Sequence, residues 1–218
     1  MRLFVPLLAL ASLSAASAQA PAKCALAARV DAASYAALTM TGASEADQDN
    51  VAFTWAQCRA AALNANLSNS PQLRARIVNL RGQYRELRDI ESELAGIRAG
   101  GGTMYGHAVP RNYAVLEPRI ESLANLARSS AGAVKSVQYE GALRDARDMQ
   151  AAYIKTLRAY KPRPDETYVR YDAKDWNARV NRYEAVSKSI MRTLGNRGDA
   201  ATALGYSILT DWAFGADE

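Results

Sequence analysis

The amino-acid sequence predicts an all-α fold, a single bundle of about five to seven helices with one disulfide. Apolar residues recur at spacings of three and four along most of the chain, which places them on one face of a helix. Alternating runs of β-branched residues, which are typical of strands, are nearly absent. Glycine and proline clusters divide the chain into helix-length segments joined by short links, as in helical bundles.

The first 20 residues have the pattern of a secretory signal peptide. A positive start is followed by an apolar run over 3–13 and by small residues, which predicts cleavage after Ala18 or Ala20. Spanning a bilayer takes about 20 apolar residues, and this run is about half that length. We therefore expect an exported protein, periplasmic or extracellular, whose helical domain covers 21–218 and has no transmembrane segment.

The chain has two cysteines, Cys24 and Cys58. Two cysteines in an oxidising compartment usually pair with each other, so we expect a disulfide. A redox pair usually has Cys-x-x-Cys spacing, and a zinc site needs more ligands than the single histidine, His107, can add. Lys23, directly before Cys24, argues against lipid attachment at that cysteine.

Two helices are expected before residue 70. The first covers 22–40 and ends at Thr41-Gly42, and Ser44 to Asp47 then resembles a capping box. Behind this cap, one helix face carries Val51, Trp55, Cys58 and Ala62. Cys58 would thus lie on the buried side of the second helix, within reach of Cys24 on the first.

The third helix has the clearest pattern in the chain. Ser70-Pro71 is a favourable start, and a stripe of apolar residues with a period near 3.5 then runs to Ile97. Glu91 interrupts the stripe. The pattern predicts a long helix over 71–99, about 42 Å in length. Such a stripe is also a candidate surface for oligomerisation.

A glycine-rich loop is expected over 100–113, containing Tyr105 and His107. After it, Pro118 leaves two alternatives for the fourth helix: a short turn over 110–116 or a kinked helix. Ser129 to Gly132 is a site where this helix bends or breaks, and its stripe continues to Tyr160. Two further helices are predicted, one capped near Asp172 and ending at Gly195, and one capped by Asp199.

No catalytic, cofactor or metal motif is present in the sequence. The loop over 100–113 lacks the lysine and the strand of a phosphate-binding loop, and His107 has no nucleophile motif near it. The acidic residues Glu86, Asp89 and Glu93 share a helix face, but a ferritin-like metal site also needs repeated Glu-x-x-His motifs. We interpret this acidic face as ion-paired, and we expect no cofactor.

The most suggestive surface feature is a basic and aromatic segment over 153–171. The net charge of the chain is +5, and residues 100–197 carry 17 basic and 10 acidic side chains. Cations attract phosphates or carboxylates, and aromatic faces stack on sugars or bases. The candidate polyanion-binding residues are Lys155, Arg158, Lys161, Arg163 and Arg170. The alternative is that Tyr153 and Tyr160 belong to the core and the charges only solvate the outer face.

These features favour a non-enzymatic exported bundle that binds or organises a component of the cell envelope. An acidic polymer or an envelope protein is the expected partner, and nucleic acid is not. Two alternatives remain open at this point. One is an enzyme or small-ligand carrier that uses the loop over 100–113, and the other is an oligomeric scaffold formed through the long third helix.

Overall fold

The computed structural model describes residues 24–42, 44–98, 104–129, 134–161, 173–195 and 198–210, with only the backbone for residue 45 and for 104–112. Seven helices lie in these ranges, preceded by one helical turn over 24–27. They are α1 (Ala32–Thr39), α2 (Glu45–Asn66), α3 (Pro71–Arg98), α4 (Met104–Arg128), α5 (Ser136–Ala159), α6 (Ala173–Leu194) and α7 (Ala200–Leu209). The predicted all-α bundle is confirmed.

The long helix α3 is the centre of the bundle and packs against both α4 and α6. Its predicted stripe is buried inside the chain. The core around it is completed by α5 and α7, and the hydroxyl of Tyr84 on α3 donates to the carbonyl of Gly205 on α7 at 2.6 Å. Gly205 allows close packing at this crossing, because a Cβ there would lie 2.4 Å from Leu194 Cδ2 and would force that side chain to move.

A second, smaller hydrophobic cluster joins the N-terminal segment to α2 and α4. The predicted disulfide between Cys24 and Cys58 is present in it, with the two Cα atoms 5.0 Å apart. Trp55 on α2 donates from its indole nitrogen to the carbonyl of Val30 at 3.0 Å, and Arg59 donates to the carbonyl of Ala28 at 2.9 Å. The segment before α1 is therefore attached to α2 both covalently and by hydrogen bonds.

The prediction of one helix over 22–40 is wrong. The chain leaves helical geometry after the turn over 24–27, and α1 begins only after Asp31. The Asp31 carboxylate accepts from the amide of Ser34 at 2.7 Å, which caps α1 at this point. Aspartate competes with the helix for backbone donors, so it favours a helix start over a helix interior. The caps predicted at Ser44 and Asp199 are confirmed by bonds from the amides of Asp47 and Ala201.

The region around α4 differs most from the prediction. The loop expected over 100–113 is helical from Met104 onward. Of the two alternatives left open around Pro118, the short turn over 110–116 is wrong, because α4 continues through Pro110 and Pro118. Neighbouring elements outweigh the local cost of the prolines, because α4 packs against α2, α3 and α7. The break expected between Ser129 and Gly132 is confirmed in that α4 ends at Arg128 and α5 begins at Ser136.

Candidate ligand-binding surface

The predicted polyanion-binding residues begin at the C-terminal end of α5. Lys155 and Arg158 lie in its last two turns, Lys161 follows two residues after its end, and all three side chains are exposed. Arg163 and Arg170 lie outside the described residues. Within the described part of the chain, the basic segment thus presents three cations to solvent.

The aromatic residues of this segment contact the core. The ring of Tyr160 packs on Trp176, with centroids 4.6 Å apart, and the ring of Tyr153 packs on Tyr183 at 5.3 Å. The hydroxyl of Tyr153 also donates to Glu91 at 3.2 Å. Neither ring is therefore a free stacking platform for a ligand, and the alternative interpretation of these two tyrosines as core residues is supported.

A cleft of about 700 Å³ lies beside α6, and we call it the basic cleft. Its described lining residues share one face of α6, and they are Asn181, Glu184, Ala185, Lys188, Met191 and Arg192. Arg158 reaches this face from α5 and donates to Glu184 Oε2 at 2.7 Å and to Asn181 Oδ1 at 3.2 Å. The cleft thus has an apolar part, Ala185 and Met191, bordered by three cations and one carboxylate.

Glu184 organises the charges of the basic cleft. Lys188 donates to its Oε1 at 2.5 Å, while Arg158 occupies its Oε2. These hydrogen bonds, first from Lys188 and then from Arg158, lower the pKa of Glu184 below its usual value, so the carboxylate is ionised at neutral pH. One carboxylate shared by two cations leaves an excess of positive charge, to which Arg192 adds.

One cation of the basic segment and one of the basic cleft have no carboxylate partner in the described part of the chain. Lys155 and Arg192 make no ion pair there, in contrast to Arg158 and Lys188. An exposed cation without a partner loses less on binding an external anion than one that must first leave an ion pair. The arrangement is chemically suited to holding phosphate or carboxylate groups, and the described residues around it include no catalytic constellation.

The acidic face of α3 is ion-paired, as interpreted from the sequence. Glu86 pairs with Arg182 at 3.0 Å and Glu93 pairs with Arg179 at 2.7 Å, so the partners come from α6 and not from α3 itself. Asp89 accepts from the hydroxyl of Tyr113 at 2.9 Å. Burial raises the pKa of Asp89, and the Tyr113 bond partly opposes that shift. No group of three or more metal-ligating side chains occurs in the part of the chain that the structure describes.

The sequence did not indicate the buried ionic layer between α3 and α4. Glu117 is 1% exposed and accepts from Arg81 Nε at 2.9 Å and from Arg85 Nη2 at 2.7 Å. Arg81 also donates to Asn64 Oδ1 at 3.1 Å, which ties in α2. The available signal was that Arg81 follows Ile77 by four residues, and so falls on the apolar face of α3.

Tyr105 and His107, the candidate functional residues of the predicted loop, lie in the first turn of α4. The backbone of these two residues is therefore helical and not the glycine-rich loop expected from the sequence. Their side chains are outside the described part of the structure.

Comparison with known protein families, with curated proteins and with solved structures finds no match to this chain. None of the described helices combines the length and the apolar character needed to cross a bilayer.

Proposed function

We propose that this chain is an exported, non-enzymatic helical protein that binds an acidic polymer of the cell envelope at the basic cleft. The observation that carries the proposal is the pairing of Arg158 and Lys188 with Glu184, beside an open cleft that Arg192 also lines. Export is supported by the signal-peptide pattern of residues 1–20 and by the disulfide, since disulfides persist mainly in oxidising compartments.

Glu184 defines how an anion would bind. A phosphate or carboxylate of the ligand competes with Glu184 for Arg158 and Lys188, while Arg192 is available to it directly. Repeated anionic groups along a polymer compensate for this competition, because each additional contact becomes intramolecular once the first is made. The proposed ligand is therefore a polyanion, and a single small anion is expected to bind weakly.

The test is binding of purified protein, with its disulfide intact, to polyglutamate and to polyphosphate, with neutral dextran as the comparison polymer. The two anionic arms distinguish carboxylate from phosphate ligands. Replacing Arg158, Lys188 and Arg192 together with glutamine is expected to weaken binding by about tenfold or more, since three exposed charges contribute up to about 1 kcal/mol each. Binding is also expected to weaken as salt rises.

A matched control removes the same number of charges elsewhere. Arg74, Arg128 and Lys135 are exposed and are not among the described lining residues of the basic cleft, so their replacement with glutamine tests the effect of net charge. Equal weakening by both triple variants would contradict a specific site, as would the absence of polyanion binding at low salt.

Glu184→Gln tests the proposal in the opposite direction. Removing the carboxylate charge weakens the internal competition for Arg158 and Lys188, so polyanion binding is expected to tighten. A loss of binding would instead show that Glu184 is needed to hold the cations in place.

The burial of the apolar α3 stripe does not favour the alternative of an oligomeric scaffold formed through this long helix. Between Ile77 and Leu94 the apolar side chains of the α3 stripe, including Leu80, Tyr84 and Leu87, are at most 1% exposed within a single chain. These side chains are not available to a second copy.

A further inference from the structure

A second cleft lies between α1 and α2, on a different part of the molecule from the basic cleft. Its volume is about 190 Å³, and we call it the polar cleft. One wall is formed by Tyr35, Thr39 and Thr41, and the other by Asp47, Asn50 and Thr54, which share a face of α2. All six of these side chains end in a hydroxyl, amide or carboxylate group, and Val51 is the one apolar residue of the described lining, which is unusual for a gap between two packed helices.

Tyr35 is the residue that points to a ligand. Its side chain is 1% exposed and forms part of the cleft wall. Its hydroxyl has no hydrogen-bond partner among the described residues, whereas the equally buried Tyr84 donates to a carbonyl. The hydroxyl oxygen itself is not fully buried, so a water molecule or a ligand in the cleft can satisfy it.

Asp47 is held at the mouth of the same cleft. Its Oδ2 accepts from the hydroxyl of Ser44 at 2.6 Å, and no cation in the described part of the chain pairs with it. Gly42 makes room for this carboxylate, because a Cβ at that position would lie 2.2 Å from Asp47 Oδ2. The link between α1 and α2 therefore fixes the carboxylate beside the cleft.

The two threonines present acceptors. Thr39 and Thr54 each donate their hydroxyl hydrogen to a backbone carbonyl one helical turn earlier, at 2.7 Å in both cases. Their oxygen lone pairs remain as acceptors, while the Tyr35 hydroxyl and the Asn50 amide each have hydrogens to donate and an oxygen that accepts. A ligand that satisfies all of these groups therefore both donates and accepts.

We propose that the polar cleft binds a neutral polyol, of the size of a single sugar ring. A hydroxyl group both donates and accepts, so it satisfies Asp47 and Tyr35 at once. An ammonium group would leave the Tyr35 and Asn50 donors without acceptors, and an anion would be repelled by Asp47. The volume is below the roughly 300–1,000 Å³ of pockets for drug-sized ligands, which limits the ligand to one ring.

The test uses amide NMR spectra of the purified, oxidised protein titrated with glucose, galactose, N-acetylglucosamine and glycerol. At least one of these polyols is expected to shift the resonances of the α1–α2 cleft and not those of α5 and α6. No shift with any of the four, or the same shifts with choline as with the sugars, would overturn the proposal.

Tyr35→Phe is the decisive variant, with Tyr84→Phe as its matched control. Removing the Tyr35 hydroxyl is expected to abolish the polyol-induced shifts while the melting temperature stays the same or rises, because no protein bond is lost. Removing the Tyr84 hydroxyl is expected to lower the melting temperature and to leave polyol binding intact. If Tyr35→Phe binds polyols as the parent does, the hydroxyl has no part in binding and the proposal fails.

Gly42→Ala provides a second check that acts through Asp47. The added methyl group has to displace the carboxylate, so polyol binding is expected to weaken although no polar group has been removed. The basic cleft is unaffected by these changes, so polyanion binding should persist in all of the variants, and failure of either proposal leaves the other standing.

Discussion

At the scale of single residues, the ion pairs of this protein divide into two classes with different expected energies. Glu117 is buried and accepts from Arg81 and Arg85, and its removal would leave the buried Arg81 guanidinium without its counter-charge. Glu86 pairs with Arg182 at the surface, where both side chains keep more than a third of their exposure. Buried pairs are costly to break because the remaining charge cannot be hydrated, whereas exposed pairs contribute little.

Glu117→Gln is therefore expected to lower the free energy of unfolding by about 3–5 kcal/mol. Glu86→Gln, the matched control, is expected to lower it by less than about 1 kcal/mol. Urea unfolding followed by circular dichroism measures both. Similar values for the two variants would mean that water reaches the Glu117 layer.

At the scale of the elements, the features that could be predicted from the sequence are those that depend on residues close together in the chain. The long α3 has a regular stripe and a serine–proline start, and it was predicted to within one residue. The caps at Ser44 and Asp199 depend on neighbouring residues alone and were also predicted. The continuous α4 could not be foreseen, because it is stabilised by three other helices across two prolines.

The candidate site shows the same division. The exposed cations at the end of α5 follow from sequence, since their segment is locally basic. The pairing of Arg158 with Glu184 joins residues 26 positions apart, and that of Arg81 with Glu117 joins residues 36 apart. Such contacts depend on how the helices pack, which the pattern of a single helix does not contain.

Two glycines test how tightly these elements pack. Gly205 sits where α7 crosses Leu194, so Gly205→Ala is expected to destabilise the protein by about 1–3 kcal/mol through overpacking. Gly82 is exposed inside α3, with nothing within 4 Å of an added Cβ. Gly82→Ala is expected to stabilise by about 0.5–1 kcal/mol, because alanine favours the helix. Thermal unfolding of the two variants should therefore shift in opposite directions, and a shared direction would contradict the packing described at α7.

At the scale of the whole molecule, the bundle has two hydrophobic clusters of unequal size. The larger one is formed by the five helices α3 through α7 and by the end of α2. The smaller one packs the N-terminal segment against α2 and α4. The two proposed binding clefts follow this division, with the polar cleft at the smaller cluster and the basic cleft on α6. A change confined to the smaller cluster should consequently affect only one of them.

The disulfide provides that change. Cys24 and Cys58 close a loop over a separation of 34 residues, and replacing both with serine is expected to cost roughly 3–4 kcal/mol by releasing this constraint on the unfolded chain. The smaller cluster depends on the disulfide directly, so hydrogen exchange should accelerate most over 24–42 while α3 remains protected. Polyol binding should be lost with the N-terminal segment, and polyanion binding at the basic cleft should be kept. If exchange accelerates equally over 24–42 and over α3, the two clusters unfold as one cooperative unit, and the polar cleft cannot be separated from the rest of the bundle.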